Sequence, residues 1–213
     1  MKNIFFGILA VLLFTSCGDK NKKTYVMIET DFGNMKVELY DSTPLHKENF
    51  LKLSKEGYYD DLLFHRVIKN FMIQGGDPNS RGAAPGMSLG SGGPGYTIPA
   101  EIGAPHFKGT LSAARTGSGN PEKRSSGSQF YITQGTPLTE AQLDSFEKQK
   151  GIEYSEAQRA KYLSQGGYPG LDMDYTVYGE VVEGLEVIDK IAAVQTAPGD
   201  RPIEDVKMKV RIL

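Results

Sequence analysis

The sequence predicts one mainly β domain, a closed antiparallel barrel with an inserted pair of helices. Many short segments alternate apolar and polar residues with a period of two, which is typical of half-buried strands, and two longer segments have helical spacing. The chain has 213 residues, of which 39% are hydrophobic and 23% charged, so it can bury a substantial core. Many short strands with two main helices favour a closed barrel.

The first elements are a hairpin and a helix. Residues 25–30 and 35–39 alternate on either side of a DFGN turn, which predicts two paired strands. A helix should follow, because Thr43 can cap it, Pro44 suits its first position and Gly57 can end it.

The remainder of the barrel is predicted from further alternating segments and one more helix. The helix spans Leu185 to Ala192, and residues 79–95, rich in Gly, Ser and Pro, form a long loop between strands. The predicted strands are 62–68, 71–74, 96–98, 109–114, 129–133, 175–182 and 206–212.

The segment 137–168 interrupts the β pattern and predicts a helical hairpin inserted between two strands. Its helices should begin at two capping boxes, and a hydrophobic staple should flank the first. The residue pairs are Thr139 with Gln142, Ser155 with Gln158, and Leu138 with Leu143.

The first residues predict export. Lys2, an apolar run that ends at Phe14, and the small residues before Cys17 have the order of a signal peptide over 1–16. The apolar run is shorter than the roughly 20 residues that a spanning helix needs. Small residues abutting the cysteine resemble the lipobox of bacterial lipoproteins, so we expect lipidation of Cys17. The alternative is a buried thiol in an uncleaved leader.

The expected arrangement is therefore a lipidated cysteine and tether over 17–24, followed by the folded domain over 25–213. Such a protein would lie in the cell envelope and face the periplasm. Cys17 is the only cysteine, so no intramolecular disulfide can form. The net charge of −2 without a block of like charge gives no reason to expect nucleic acid as a partner.

Motifs for common reactive groups are weak. Gly90, Gly92 and Gly95 have dinucleotide-binding spacing, but Pro94 lies among them and GAAPGMSL precedes them where a strand is required. The three histidines lack metal-ligand spacing, and no GxSxG nucleophile motif is found. We therefore expect no cofactor and no metal.

Two dense motifs remain. They are FHRVIKNFMIQGGD at 64–77 and GSQFYIT at 127–133, and GTLSAARTG at 109–117 and YTVYGEV at 175–181 accompany them. In order and separation these four segments resemble the cyclophilin family of peptidyl-prolyl cis/trans isomerases over roughly 25–135 and 169–213. The resemblance implies an eight-stranded antiparallel barrel with a helix at each end, acting on proline-containing polypeptides. We expect a monomer.

The resemblance also implies the residues of the site. Arg66 would be the catalytic guanidinium, and Gly90 would border a neighbouring pocket. The apolar wall around the proline ring would be Phe71, Met72, Tyr131 and Leu171, with Tyr175 where many eukaryotic members carry a histidine. The groups that bind the peptide backbone would be Gln74, Ala114, Arg115 and Gln129. Strand periodicity independently places Gln129 on the face of Tyr131, and Gln74 on that of Met72.

This chemistry needs no nucleophile. Rotation about an Xaa–Pro bond meets a resonance barrier of roughly 18–20 kcal/mol, and no covalent bond breaks. As the bond twists, the prolyl nitrogen regains its lone pair, so a donor aimed at that nitrogen binds the transition state better than the substrate. Arg66 would supply a permanently charged donor.

Other interpretations stay open. Arg66 could be a surface arginine, and the apolar residues could belong to the core. The chain could be a proline-peptide-binding or chaperone module whose insert docks a partner or acts as a lid, or a lipid-anchored nutrient-binding protein. Gly170 and Met173, on either side of Leu171 and Asp172, depart from residues frequent in the family.

Overall fold

The computed structural model describes residues 23–213, and its elements follow one another in a mostly β order. Single-turn 3-10 helices lie at Pro78–Ser80 and Pro169–Leu171. In chain order the other elements are β1 (Thr24–Thr30), β2 (Gly33–Leu39), α1 (Pro44–Lys55), β3 (Leu62–Leu63), β4 (Arg66–Ile68), β5 (Met72–Gly75), β6 (Thr97–Ile98), β7 (Thr110–Ala113), β8 (Ser125–Ser126), β9 (Phe130–Thr133), α2 (Glu140–Lys150), α3 (Glu156–Ser164), β10 (Val177–Glu183), α4 (Leu185–Ala192) and β11 (Lys207–Ile212).

The main sheet curls until both of its edges belong to one segment. Its strand order is β3-β11-β1-β2-β10-β7-β9-β5-β4, with every pair antiparallel. The edge strands β3 and β4 are separated only by Phe64 and His65, so the predicted strand 62–68 changes partner midway, from β11 to β5. Counted as one strand, this segment gives the curled sheet eight strands and confirms the predicted fold class.

The core fills the inside of this curled sheet. Val26, Ile28 and Met35 have no exposed surface, as expected for the inward residues of alternating strands. The helices α1 and α4 add Phe50 and Ile188 to the same cluster. Burying each such side chain stabilises the fold by roughly 1.5–3 kcal/mol, so the alternation read from the sequence identifies the stabilising face of the strands.

The inserted hairpin has the two predicted helices and its own small core. Both capping boxes form, at Thr139 and at Ser155. The hairpin cluster consists of buried Phe107, Leu143, Tyr154 and Tyr162, with Leu138 packed against it as the staple predicts. Arg159 of α3 binds carboxylates of α2, namely Glu140, Asp144 and Glu147. Polar pairs on the outside and aromatic packing inside therefore join the two helices.

The cap of α1 differs from the prediction. Thr43 occupies the N-cap position, but its side chain makes no capping bond. Glu101 caps the helix instead, because its carboxylate accepts from the backbone N–H of Leu45 at 3.1 Å and of His46 at 3.0 Å. It also lies 2.6 Å from Nδ1 of the His46 ring. The capping group therefore comes from a loop far along the chain, where local sequence reasoning could not find it.

Other differences are small or fall outside the described residues. The predicted strand 109–114 is shortened to Thr110–Ala113, and 175–182 is displaced to Val177–Glu183. The predicted signal peptide over 1–16 and Cys17 lie outside the described part of the chain. Within residues 23–213, none of the helices has the length and apolar character needed to cross a bilayer.

Replacing the remote cap should destabilise the fold. We expect Glu101→Ala to lower the free energy of unfolding by about 1–3 kcal/mol, because two helix N–H groups and His46 lose a charged acceptor. Chemical denaturation of the purified domain measures this change. The control is Glu122→Ala, since the Glu122 side chain is 75% exposed and its ion pair with Arg124 is long, at 3.9 Å. Equal stabilities of the two variants would contradict the capping role.

Candidate active site

A small cavity of about 160 Å³ opens on the outside of the curled sheet, at β4, β5, β7 and β9. Its lining residues are Arg66, Phe71, Met72, Gln74, Ala114, Arg115, Tyr131, Leu171 and Tyr175. All nine are among the residues predicted for the site. Gly90 and Gln129, the two other residues predicted for the site, line the adjoining cavity. The structure therefore brings the predicted side chains together from six separate stretches of the chain.

The floor of the small cavity is apolar. Met72, Ala114 and Tyr131 are buried and form one cluster, against which Phe71 and Leu171 pack. Met72 lies on β5 and Tyr131 on the neighbouring β9, where the strand register sets Tyr131 opposite Gln74. The cavity thus has an apolar floor and a polar margin, which suits a saturated ring attached to a peptide backbone.

Arg66 forms one margin of the cavity. The register of β4 and β5 pairs Arg66 with Gln74, and its Nη1 donates to Gln74 Oε1 at 3.4 Å. Its Nε donates to Asp200 Oδ2 at 3.4 Å. The side chain remains 43% exposed, so these two contacts orient the guanidinium and leave other N–H groups free for a ligand.

Asp200 is a residue of this site that sequence reasoning missed. Its backbone is left-handed, with φ of 65°, and its carbonyl accepts from the Val67 N–H at 2.8 Å. These contacts fix the loop beside β4 and hold the carboxylate near Arg66. Nothing in the local sequence signals the contact, because 134 positions separate the two residues.

A chain of amide side chains forms the second margin. Gln74 Nε2 donates to Gln129 Oε1 at 3.1 Å, and Gln129 Nε2 donates to the carbonyls of Gly90 at 2.9 Å and Gly92 at 2.7 Å. The fully buried Asp77 carboxylate accepts from the N–H groups of both glycines. The glycine-rich loop is therefore held in place beside the cavity.

Two larger cavities adjoin the small one. One, of about 720 Å³, runs between the glycine-rich loop and Arg124, and the other, of about 760 Å³, lies between loops 85–90 and 197–205. Gln74 lines all three cavities, and Arg66 lines the small one and the second large one. A groove that extends on both sides of a small pocket fits an extended polypeptide.

The segment 171–175 forms the far wall and is fixed by cations. Arg115 Nε donates to the Asp174 carbonyl at 2.8 Å, and the guanidinium lies 4.5 Å from the centre of the Tyr175 ring. Lys123 and Lys150 donate to the Asp174 carboxylate. These hydrogen bonds lower the pKa of Asp174 to about 2. Met173 adopts a left-handed backbone, with φ of 64°, a conformation that glycine adopts more readily than methionine.

The remaining groups near the cavity are polar but not metal-binding. Burial raises the pKa of the Tyr131 hydroxyl well above its usual value, so this group stays protonated at neutral pH. In the part of the chain that the structure describes, no three His, Cys, Asp or Glu side chains form a metal-binding group.

A family model and curated relatives match most of the chain. The model of the cyclophilin type peptidyl-prolyl cis-trans isomerases matches residues 25–211. A Staphylococcus haemolyticus protein named as a peptidyl-prolyl cis-trans isomerase is 34% identical over 182 residues, which cover 85% of this chain and 86% of the relative. A Streptococcus pyogenes protein named as a bifunctional phosphatase and peptidyl-prolyl cis-trans isomerase is 38% identical over 186 residues. That match covers 85% of this chain but only 37% of the longer relative.

A solved structure has the same architecture. The crystal structure of a Cryptosporidium parvum cyclophilin type peptidyl-prolyl cis-trans isomerase superposes with a TM-score of 0.65 at 27% identity. The superposition covers 90% of this chain and 98% of that protein.

The ion pairs of Asp174 should give the fold a distinct acid response. Because its folded pKa is lowered from 3.8 to about 2, these pairs stabilise the fold fully above about pH 4 and are lost as the pH falls towards 2. In Asp174→Asn, stability should therefore fall less steeply over that window. Urea unfolding midpoints between pH 6 and 2 measure the slopes. Asp31→Asn, on the exposed β1–β2 turn, is the control, and equal slopes for wild type and Asp174→Asn would contradict the assignment.

Proposed function

Since the chain belongs to the family of cyclophilin-type peptidyl-prolyl cis-trans isomerases, enzymes that act on proline-containing peptides, we propose that it uses Arg66 to isomerise Xaa–Pro bonds in exported proteins and so assists their folding. The observation that carries this proposal is that a half-exposed guanidinium, held by two hydrogen bonds, lies at the margin of a small cavity with an apolar floor.

The proline ring of the substrate occupies the cavity lined by Met72, Tyr131 and Leu171. Burial of the ring against apolar side chains gives binding energy without a charged contact. The peptide groups next to the proline bind Gln74, Gln129 and Arg115, whose polar atoms rim the cavity. Residues further along the polypeptide lie in the two larger cavities, which is why the substrate is an extended or unfolded segment.

Arg66 acts on the twisting bond. In the planar ground state the prolyl nitrogen shares its lone pair with the carbonyl, and at the perpendicular transition state the lone pair returns to nitrogen. A guanidinium N–H group that donates to this nitrogen forms a stronger hydrogen bond in the transition state than in the ground state, so it raises the rate. One such charge-assisted bond contributes about 1.5–3 kcal/mol, or roughly ten- to a hundredfold in rate.

The rest of the acceleration comes from the cavity itself. The apolar floor excludes water, and a twisted peptide bond with less separated charge is better accommodated in such surroundings than a planar amide. The ring is held while the preceding residue rotates. No covalent bond forms or breaks, so the reaction requires neither a nucleophile nor a cofactor.

The proposed substrates are exported proteins because of the first residues of the chain. A charged start, a short apolar run and small residues before a single cysteine support cleavage after Ser16 and lipidation of Cys17. The polar stretch that follows is long enough to separate a folded domain from a bilayer surface. An isomerase anchored in this way would meet newly exported chains in the envelope. We propose that it acts there as a monomer.

Removing the guanidinium should abolish most of the activity. We expect Arg66→Ala to lower kcat/KM for a short Xaa–Pro peptide by at least about tenfold. Arg66→Lys should recover little, because an ammonium cannot bind Gln74 and Asp200 and also reach the prolyl nitrogen. Exchange NMR or a protease-coupled assay on residues 24–213 measures the rate.

The matched control for this test is Arg211→Ala. Arg211 lies on β11, pairs with Asp60 and lines none of the three cavities described above. Activity of Arg211→Ala should stay close to wild type. If the folded wild type gave no acceleration, the chain would be a proline-peptide-binding module. If Arg66→Ala were as active as Arg211→Ala, Arg66 would not be catalytic.

Lipidation gives an independent prediction about location. In the native host, the full-length chain should incorporate labelled palmitate and partition into detergent, whereas Cys17→Ser should do neither. Asn21→Ala, which lies in the tether and keeps both the cysteine and the small residues before it, is the control. A labelled Cys17→Ser protein, or an unlabelled wild type, would contradict the anchor without affecting the proposal for Arg66.

A further inference from the structure

A buried carboxylate connects the inserted hairpin with the proline cavity. Asp172 is only 3% exposed, and four donors surround its side chain. Its Oδ2 accepts from the hydroxyls of Tyr154 at 2.5 Å and Tyr162 at 2.6 Å. Its Oδ1 accepts from the backbone N–H of His106 and from Nδ1 of the same ring, both at 2.8 Å. Every acceptor direction of this carboxylate is therefore used by a defined partner.

The contacts continue to the cavity floor. Nε2 of His106 lies 2.9 Å from the hydroxyl of Tyr131. Burial raises the pKa values of Tyr154 and Tyr162, so both hydroxyls stay protonated and donate to Asp172. We call Tyr154, Tyr162, Asp172, His106 and Tyr131 the tyrosine–aspartate network. It is buried along its whole length.

The two ends of the network belong to different parts of the molecule. Tyr162 lies on α3, and Tyr154 lies in the connection between α2 and α3, so both come from the inserted hairpin. At the other end, Tyr131 forms the floor of the small cavity, and Asp172 directly follows Leu171 in its wall. The hairpin thus holds two sides of the cavity through one carboxylate.

Other contacts of the hairpin reach the same wall. Lys150, the last residue of α2, donates to the Asp172 carbonyl at 3.0 Å and to the Asp174 carboxylate at 2.5 Å. At the base of the hairpin, the Tyr168 ring packs 4.4 Å from that of Phe71, which lines the cavity. The hairpin therefore touches the cavity wall from behind and leaves the opening free, which is the position of a support rather than of a lid.

We propose that the inserted hairpin is a built-in support of the isomerase site, with Tyr154 and Tyr162 as positioning residues that act through Asp172 and His106 on Tyr131 and Leu171. The inference rests on the proposed function of the cavity and adds residues that touch no substrate. It assigns to the insert a role in catalysis in addition to that of the barrel residues that line the cavity.

The physical reason is the cost of an unsatisfied buried carboxylate. Without the two hydroxyls, Oδ2 of Asp172 would lack donors in an interior that water does not reach. The side chain would turn or admit water, and His106 and Leu171 would move with it. Because productive geometry is narrow, a shift of about 1 Å in the wall is enough to lower the rate markedly.

The test compares two ways of weakening the hairpin. The double variant Tyr154→Phe/Tyr162→Phe keeps both rings but removes both donors to Asp172. The control Glu140→Gln/Asp144→Asn removes partners of Arg159 on the outer side of the same hairpin, away from the network. Each single tyrosine variant is also measured, since it keeps one donor to Asp172 and should disturb the fold less than the double variant does.

We expect the tyrosine double variant to lower kcat/KM by at least about fivefold at a temperature where it is fully folded. The nitrogen resonances of the His106 ring should shift in the same variant without substrate. The outer control should lower the melting temperature but leave kcat/KM within about twofold of wild type and the His106 resonances unchanged. The kcat/KM of each single variant should lie between that of wild type and that of the double variant.

Two results would overturn the proposal. The first is a double variant that has a lower melting temperature but keeps the kcat/KM and the His106 resonances of wild type. The network would then be purely structural. The second is an outer control that lowers kcat/KM as much as the tyrosine variant. An inactive wild type would instead contradict the proposed function, and the substrate-free resonances would still decide whether the hairpin positions His106.

Discussion

The site depends on the antiparallel pairing of β4, β5 and β9. One register sets Arg66 opposite Gln74, and the next sets Gln74 opposite Tyr131. A guanidinium, an amide and an aromatic floor are therefore placed in a row by backbone hydrogen bonds rather than by flexible loops. The segment 62–68 makes this possible, because it leaves β11 and joins β5 at the point where Arg66 follows Phe64 and His65.

Such rigidity matters for a reaction without covalent chemistry. The enzyme can accelerate the reaction only by binding the transition state more tightly than the substrate. A donor that became ordered only on binding would lose part of this stabilisation. Two acceptors from different elements, Gln74 and Asp200, hold the Arg66 side chain before substrate arrives. The glycine-rich loop and the inserted hairpin then fix the two remaining margins of the cavity.

Most of the barrel could be predicted because its signals are local or repeated, whereas the pocket residues were expected from the resemblance of four motifs to the cyclophilin family. Alternation identified the strands, and capping boxes at Thr139 and Ser155 identified the insert. Asp200 and Glu101 could not be predicted, since each acts on a residue more than fifty positions away. The sequence showed the hairpin but not its link to the cavity, because that link depends on how Tyr154 and Tyr162 fold against Asp172 and not on a repeated local pattern.

The most direct test of the role of Arg66 is a crystal structure of the protein with a proline-containing peptide. We expect the proline ring to lie against Met72 and Tyr131, with an N–H of Arg66 within hydrogen-bonding distance of the prolyl nitrogen and the peptide continuing into the larger cavities. A ring bound elsewhere, or an Arg66 that stays turned away from the prolyl nitrogen, would contradict it.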